Sequence, residues 1–248
     1  EDMLFSDYQK IAQAVKKHAP DVKGVIIGHG TDTLSYTAAA LSFMFEKINI
    51  PVLLVGSQRS PDRGSSDAAM NLLCAAKFIA ETDFVGVATC LHYHSDDNQC
   101  AVIPGTKVRK MHTSRRDAFQ PINTEPIALV SLKEIKFLQD YCKEGQKPIL
   151  KEKFSDKVGL LKVHPNMDEK LWEFYTKNFK AIVIEGTGLG HTPTNSKENE
   201  KKYTLLKKFI EKNGIVAITS QCLYGAVHPY VYTNLRRLSE IGCIFCED

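Results

Sequence analysis

The sequence alternates short apolar runs with segments of helical periodicity, and this alternation constrains the fold more than any other feature. Buried strands are predicted at GVIIG (24–28), PVLLVG (51–56), FVGVATC (84–90) and PIALV (126–130). Helices are predicted between them, at 6–18, 33–47 and 65–80. Strands that alternate with helices indicate an α/β fold, in which a parallel sheet lies between two layers of helices.

The pattern breaks over residues 131–157, a charged segment without a clean period, and then resumes. Further strands are predicted at VGLLKV (158–163), AIVIEG (181–186) and GIVAITS (214–220), with helices at 168–178 and 198–212. We therefore predict a larger N-terminal α/β domain over 1–145, incomplete at its start, and a smaller C-terminal α/β domain over 155–248.

The composition narrows the class of protein without naming one. The 248 residues are 43% hydrophobic and 25% charged, which is ordinary for a globular protein, and the net charge of +3 is too small to indicate nucleic-acid binding. The sequence contains no run of about 18 apolar residues, so no membrane span is predicted. The seven scattered cysteines favour reduced thiols and the cytoplasm. The chain begins without methionine and ends abruptly, so we expect further sequence at one or both ends.

Polar clusters follow several of the predicted strands. They are HGTDT (29–33), GSQRS (56–60), EGTGLGHT (185–192) and SQCLYG (220–225). Ligands of open α/β sheets bind beyond the carboxyl ends of strands, often against helix N-termini. We therefore expect some of these clusters to line a pocket.

The cluster HGTDT allows two interpretations. In the first, Asp32 or Thr33 caps the following helix. In the second, Thr31 is a catalytic hydroxyl and Asp32 is its electrostatic partner. A threonine hydroxyl needs a base, and a lysine can serve as one. The stretch KVRKMHTSRRDAF (107–119) offers several basic side chains, among which the pattern alone does not choose, and it is also typical of a solvated basic loop.

Two other polar features have simpler interpretations. The run HYHSDD (92–97) contains ligand types that suit a metal ion, but without a full set of spacings it is more typical of a loop, so no metal is predicted. Asp67, in SSDAAMNL, is expected to cap a helix.

Three stretches together resemble the L-asparaginase/glutaminase family with threonine nucleophiles. They are GVIIGHGTDTLSYTAAALSF, PVLLVGSQRSPDRGSSDAAMNL and KVRKMHTSRRDAF, and the resemblance continues through EGTGLGH and TSQCLYG. The basic stretch VRKMHTSRRDAF is similar to the branch of the family formed by the D subunits of archaeal-type glutamyl-tRNA(Gln) amidotransferases. The resemblance implies the asparaginase-like fold, with a larger and a smaller α/β domain.

The resemblance also implies catalytic residues. Thr31 matches the family's second catalytic threonine, Asp32 matches the aspartate after it, and Lys110 matches the family lysine. Together they would form a relay that activates a hydroxyl or a water molecule.

Four positions would bind the substrate. Gly30 and Asp32 would contact its α-carboxylate and α-amine ends, Ser57 would lie near the amide that is cleaved, and Glu1 would touch the α-amine. His191 would face the active site of a neighbouring subunit, because family sites are completed across a dimer.

The implied activity is that of a glutaminase, which releases ammonia from glutamine and passes it to a second amidotransferase subunit. That partner, the kinase and tRNA-binding E subunit, would use ATP and magnesium to convert Glu-tRNA(Gln) to Gln-tRNA(Gln), and no cofactor is expected in this chain. The implied assembly is a homodimer that meets tRNA indirectly and binds no membrane. Two alternatives stay open: a free-standing L-asparaginase, and a non-catalytic module that binds an amino acid.

One departure separates this sequence from the family pattern. The family has an earlier threonine in a Thr-Gly-Gly-Thr stretch, usually the primary nucleophile, and Thr-Gly-Gly does not occur in these 248 residues. We expect that stretch to precede Glu1, and we expect this chain alone to be inactive.

Overall fold

The two alternations seen in the sequence fold as two separate units in the computed structural model, which describes residues 2–247. The first unit extends to Phe154 and the second begins at Ser155. Residues 146–154, which the sequence assigned to neither domain, belong to the first unit. There Ile149–Leu150 pairs with Phe45–Lys47, and the ring of Phe154 stacks on that of Phe5 with centroids 4.6 Å apart.

In the described residues 2–154, the first unit has three α-helices, a short 3-10 helix at Ala19–Asp21 and ten strands. The helices are α1 (Phe5–His18), α2 (Leu34–Met44) and α3 (Ala68–Glu81). The strands are β1 (Val25–Gly28), β2 (Phe45–Lys47), β3 (Pro51–Val55), β4 (Gly86–His92), β5 (Cys100–Pro104), β6 (Val108–Lys110), β7 (Phe119–Pro121), β8 (Ala128–Val130), β9 (Ile135–Phe137) and β10 (Ile149–Leu150).

A six-stranded sheet in the order β1-β3-β4-β5-β8-β9 forms the centre of this unit. Strands β1, β3 and β4 pair in parallel, as the alternation predicts, whereas β5, β8 and β9 continue the sheet in antiparallel fashion. The sheet is therefore mixed. A parallel strand requires a crossover connection of a dozen or more residues, and the loops 93–99 between β4 and β5 and 131–134 between β8 and β9 are too short for one.

Strand β3, which lies between β1 and β4, is buried on both faces because helices cover both faces of the sheet. Val52 and Leu54 pack with α2 on one face, and Leu53 and Val55 pack with α3 on the other. Alternate residues of a strand point to opposite faces, so a strand between two helical layers must be apolar throughout. Each fully buried leucine here contributes about 1.5–3 kcal/mol of hydrophobic stabilisation.

Helix α2 is shorter than the sequence predicts. It ends at Met44, and Phe45–Lys47 leaves the helix to form β2, which pairs with β10. Helix α3 ends as expected near Glu81, where Thr82 adopts an extended conformation and its hydroxyl donates a hydrogen bond to the Phe78 carbonyl at 2.7 Å.

A small hairpin is inserted between the sheet neighbours β5 and β8. Its strands β6 and β7 pair with each other, with Lys110 opposite Phe119, and the loop 111–118 joins them. This hairpin carries most of the basic stretch 107–119 and was not predicted, because strands of three residues are too short to show a period of two.

The second unit is a four-stranded, wholly parallel sheet in the order β11-β12-β13-β14. The strands are β11 (Val158–Lys162), β12 (Ala181–Gly186), β13 (Ile215–Ser220) and β14 (Ile244–Phe245), and the helices are α4 (Glu169–Asn178), α5 (Glu200–Glu211) and α6 (Thr233–Glu240). Asp168 caps α4 by accepting a hydrogen bond from the Lys170 amide at 2.8 Å. The fully buried Trp172 packs in the core of this unit with Ile182 and Ile184.

The fold class predicted from the sequence is confirmed: a larger N-terminal α/β unit is followed by a smaller α/β unit. All seven cysteines lie in the described part of the chain and are free. Within residues 2–247, every helix is too short or too polar to cross a membrane.

Candidate active site

The turn His29–Thr33 lies between the end of β1 and the start of α2, and His29 holds it in place. The His29 amide donates to the Val55 carbonyl at 2.8 Å. The ring nitrogen Nδ1 lies 2.7 Å from the Gly30 carbonyl, and Nε2 lies 2.8 Å from the Thr37 hydroxyl. A carbonyl only accepts, so Nδ1 donates to it, and Nε2 is paired with the Thr37 hydroxyl, which also faces the Thr33 carbonyl at 3.3 Å. These bonds fasten the turn to the neighbouring strand and to the first turns of α2.

Lys110 reaches this turn from the β6–β7 hairpin. Its Nζ donates to the Thr31 hydroxyl at 2.9 Å and to the Asp32 carboxylate at 2.7 Å. The lysine side chain is mostly buried, with 16% of its surface exposed, whereas that of Asp32 is 69% exposed. The three side chains that the family resemblance selected therefore meet, although 79 positions separate Thr31 from Lys110.

The ion pair affects the protonation of Asp32. The hydrogen bond from Lys110, together with its charge, holds the pKa of the Asp32 carboxyl below its usual value. Asp32 therefore remains ionised at neutral pH and keeps a negative charge beside the amine. In its neutral form the amine can accept the proton of the Thr31 hydroxyl across the 2.9 Å contact, and in its charged form it donates to that oxygen.

The loop that follows β3 lies against the same turn. Strands β1 and β3 are neighbours, with Gly28 opposite Val55, so the segments that leave their carboxyl ends adjoin. At Gly56 there is no room for a side chain, because a Cβ atom would lie 2.8 Å from the His29 carbonyl oxygen and 3.1 Å from Thr31 Cγ2. Ser57, the next residue, is half-buried. The structure thus places Ser57 on the loop that contacts the Thr31 turn.

Asp67 corrects an expectation drawn from the sequence. It immediately precedes α3, but among the described contacts its carboxylate makes no capping bond to that helix. Instead it accepts hydrogen bonds from the backbone amides of Gln58 and Arg59, each at 3.0 Å. The prediction of a helix cap was wrong because the loop after β3 folds back over the helix start. Asp67 holds the loop on which Ser57 lies.

The interpretation of Asp32 or Thr33 as a side-chain cap of α2 is also not supported by a hydrogen bond. Thr33 occupies the residue position before α2 without a side-chain capping bond among the described contacts, and the Asp32 carboxylate binds Lys110.

Gln58 was missed by the sequence analysis. Its Nε2 atom is buried and has no hydrogen-bond partner among residues 2–247. A buried donor left unpaired costs about 1–3 kcal/mol, so this atom is an exception to the usual pairing of buried polar groups. Its position after Ser57 in GSQRS was the available signal.

The three remaining predicted residues are Gly30, Glu1 and His191. Gly30 is exposed, and a Cβ atom there would meet nothing within 4 Å, so this residue leaves the space beside Thr31 open. Glu1 lies outside the described residues. His191 belongs to the second unit, where its ring lies 5.1 Å from that of Tyr232 and lines a cleft of about 530 Å³.

The histidines and aspartates of HYHSDD are used in protein contacts. The His92 ring is fully buried, and its nitrogens face Asn71 and Asp97. In the part of the chain that the structure describes, no three histidine, cysteine, aspartate or glutamate side chains come close enough together to hold a metal ion.

In comparisons with known proteins, each of the two units matches a family model of asparaginases. The family model described as "Asparaginase, N-terminal" matches residues 1–143, and the model described as "Glutaminase/Asparaginase C-terminal domain" matches residues 157–248.

Curated relatives match over the whole chain. The D subunit of the glutamyl-tRNA(Gln) amidotransferase of Thermococcus kodakarensis is 48% identical over 253 residues, and that of Methanopyrus kandleri is 44% identical over 258 residues. Both alignments cover 100% of this chain but only 56% and 55% of those proteins. The chain thus spans little more than half the length of these relatives.

Solved structures resemble the whole chain as well. The thermostable L-asparaginase from Thermococcus kodakarensis superimposes with a TM-score of 0.89 at 30% identity, covering 99% of this chain and 71% of that one. L-asparaginase I from Vibrio cholerae superimposes with a TM-score of 0.85 at 25% identity, covering 100% of this chain and 72% of that one.

Proposed function

The chain belongs to the glutaminase/asparaginase family, and from this premise we propose that it carries part of an amidohydrolase site that releases ammonia from glutamine for the amidation of Glu-tRNA(Gln). The observation that carries the proposal is the contact of the Lys110 amine with the Thr31 hydroxyl at 2.9 Å and with the Asp32 carboxylate at 2.7 Å. A hydroxyl, an amine and a carboxylate in this order form a nucleophile–base–orienter arrangement.

In the proposed reaction, neutral Lys110 takes a proton from the hydroxyl of Thr31 or, through it, from the attacking hydroxyl or water. The activated oxygen attacks the side-chain amide carbon of glutamine, and the lysine returns the proton to the leaving nitrogen, which departs as ammonia. If the attacking oxygen is a hydroxyl of the protein, water then hydrolyses the resulting ester, which releases glutamate and restores the hydroxyl. Asp32 stabilises the lysine while it is charged. Backbone amides at the Gly30 turn could donate to the oxyanion that forms, and such a donor is worth about 3–4 kcal/mol.

Substrate binding is proposed for the two loops that meet at this site. The exposed carboxylate of Asp32 can pair with the α-amine of the amino acid. Gly30 leaves space for the α-carboxylate, and Ser57 and Gln58 present polar groups from the facing loop. The buried, unpaired Nε2 of Gln58 supports this assignment, because a bound polar ligand would satisfy it.

The proposed partners follow from the names of the relatives. Those proteins are D subunits of glutamyl-tRNA(Gln) amidotransferases, which implies a second subunit that receives the ammonia. We propose that this second subunit, the E subunit, binds tRNA and uses ATP and magnesium, and that the protein containing this chain forms a homodimer in the cytoplasm.

The test measures ammonia release from glutamine by the full-length protein and by two threonine variants. Thr31→Val should lower kcat by at least about 100-fold, because general acid–base groups typically contribute 10²–10⁴. Thr106→Val, at an exposed threonine between β5 and β6, should leave kcat unchanged. Equal turnover by wild type and Thr31→Val would remove Thr31 from the reaction.

The ammonia assay, together with co-purification and binding measurements, separates the two alternative functions. A free-standing L-asparaginase would prefer asparagine to glutamine and would not co-purify with a tRNA-binding subunit. A non-catalytic module would bind glutamine or asparagine, detectable by calorimetry, and release no ammonia from either.

A further inference from the structure

A continuous chain of polar side chains joins the two loops that form the candidate active site. It begins at the loop after β3, whose backbone forms hydrogen bonds with the side chains of Asp67 and Asn71. It continues through His92, at the end of β4, and Asp97, and it ends at Arg116 in the loop that follows Lys110. Neither the catalytic relay nor the substrate contacts proposed above use these residues.

The orientation of Asn71 is fixed by its partners. Its Nδ2 lies 2.8 Å from the Gly56 carbonyl and 3.3 Å from the Asp67 carboxylate, and both partners can be acceptors. The amide nitrogen must therefore face them, and Oδ1 must face the other way. There Oδ1 accepts from the Cys100 thiol at 3.3 Å and lies 2.5 Å from His92 Nδ1. Asn71 thus presents an acceptor to His92.

The other ring nitrogen of His92 also faces an acceptor. Nε2 lies 3.1 Å from the Asp97 carboxylate. A neutral imidazole has one donor and one acceptor nitrogen, so it can satisfy only one of these two contacts. Both hydrogen bonds form only when each nitrogen carries a proton. The ring is 0% exposed, so water cannot supply an alternative donor from outside.

The charges around the ring favour that state. The carboxylates of Asp67 and Asp97 face it, one through Asn71 and one directly, and the guanidinium of Arg116 donates to Asp97 at 2.6 Å. Two carboxylates against one guanidinium leave one negative charge, which a protonated ring neutralises. The thiol of Cys100, 4.0 Å from Nδ1, is the remaining titratable group at the ring among the described contacts.

Arg116, the last residue in this series of contacts, holds the loop of the hairpin. Arg116 donates to the Asp97 carboxylate and also to the Ser95 carbonyl. The hydrogen bond from His92, with the charge of Arg116, keeps the pKa of Asp97 below its usual value. Asp97 therefore stays ionised and joins the buried ring to the loop beyond Lys110.

We propose that His92 is a positioning residue of this site, which donates from both ring nitrogens and thereby ties the Ser57 loop to the loop that follows Lys110. The proposal rests on the proposed function for its effect on turnover, but not for the hydrogen bonding of the ring. Loss of the Asp97 contact would loosen the loop that follows Lys110, although Val108 and Phe119 keep the strands of the hairpin packed in the core, and would let Lys110 Nζ shift relative to Thr31.

The state of the ring is tested by nitrogen-15 NMR of the full-length protein labelled at histidine, with the His92 signals assigned from a His92→Gln variant. At neutral pH we expect both ring nitrogens of His92 to resonate as protonated nitrogens. A His92 signal far downfield, typical of an unprotonated ring nitrogen, would overturn the proposal.

The positioning role is tested with two neighbouring aspartates. In Asp97→Asn the side-chain amide can donate to Nε2, so the ring no longer needs a second proton, and Arg116 loses its anionic partner. We expect kcat for ammonia release to fall about tenfold with KM nearly unchanged, because the loosened loop carries the base. Asp96→Asn is the matched control, since Asp96 is exposed and bonds only the nearby Asn98 amide among the described contacts.

The outcomes are distinguishable. Equal kcat in Asp97→Asn and Asp96→Asn, measured well below the melting temperature of both, would overturn the positioning role even if Asp97→Asn lowers Tm. If the wild-type protein releases no ammonia, the proposed function fails and the positioning role fails with it. The NMR measurement still decides whether the ring donates from both nitrogens.

Discussion

At position 110 a lysine enters the site, while the arginine beside it stays in solvent. Arg109 and Lys110 are successive residues of β6, so their side chains point to opposite faces of the hairpin. Arg109 is exposed, whereas Lys110 is mostly buried against Thr31 and Asp32. The charge pattern of 107–119 could not choose between them, because the hairpin and its register were not predicted. The family resemblance chose Lys110, whose amine contacts Thr31 and Asp32 in the structure; its catalytic role stays a prediction.

We expect Lys110→Met to lower kcat for ammonia release by at least about 100-fold, the usual contribution of a general base. The methionine keeps the apolar stem but removes the amine that contacts Thr31. Arg109→Met, the neighbouring change on the other face, should keep turnover within about twofold. Steady-state kinetics of both variants check the prediction, and comparable losses in the two would contradict it.

At the level of elements, the site depends on how closely two strand ends approach. The turn after β1 and the loop after β3 touch at Gly56, where a Cβ atom would lie 2.8 Å from the His29 carbonyl oxygen. The sequence predicted both strands and both polar clusters, because each strand is a continuous apolar run that ends in a glycine and a polar cluster. It could not predict that a side chain is excluded at residue 56, since this depends on the separation of the two segments.

Gly56→Ala should therefore displace the Thr31 turn. We expect kcat to fall about 10- to 100-fold, because a displacement of about 1 Å can have that effect on a catalytic group. Gly64→Ala is the control, since a Cβ atom there meets nothing within 4 Å. Circular dichroism should show that both variants are folded, and full activity of Gly56→Ala would show that the loop can move aside.

Other elements were invisible to pattern analysis for physical reasons. Strand β5, CAVIP, follows directly after the polar run HYHSDDNQ and is only five residues long. Helix α6 is eight residues long and mostly polar, so it resembles a loop. The role of Asp67 was also missed, because its partners are the backbone amides of Gln58 and Arg59, nine and eight positions earlier in the chain, and only the fold brings that loop over the helix start.

At the scale of the whole molecule, the two alternations in the sequence predicted two α/β units, and the two family models match one unit each. Ion pairs with lowered carboxyl pKa values are spread over the first unit. Hydrogen bonds from Lys110, His92 and Arg115 lower the pKa of Asp32, Asp97 and Asp117 respectively below 3.8.

These carboxylates predict the acid response of stability. Because their pKa values are lower in the folded than in the unfolded state, the stability they contribute is complete above about pH 5 and is lost as pH falls through the folded pKa values, below 3.8. We expect urea midpoints to be similar at pH 7 and pH 5 and to fall below pH 4. The loss should be modest, because Asp32 and Asp97 are 69% and 67% exposed and water and salt screen such pairs. A midpoint unchanged at pH 3 would contradict the prediction.

The hairpin that carries Lys110 has an evolutionary consequence. It is a detour of the chain between two adjacent strands of the central sheet, and its own two strands pair with each other. Val108, Ala118 and Phe119 of the hairpin are buried in the core, but insertions, deletions or altered basicity confined to the exposed residues 111–115 would leave them in place, since surface loops tolerate such change. Divergence among relatives in amide donor or in docking partner can therefore proceed at the tip of this detour, while the strand that carries Lys110 and the remaining architecture are inherited intact.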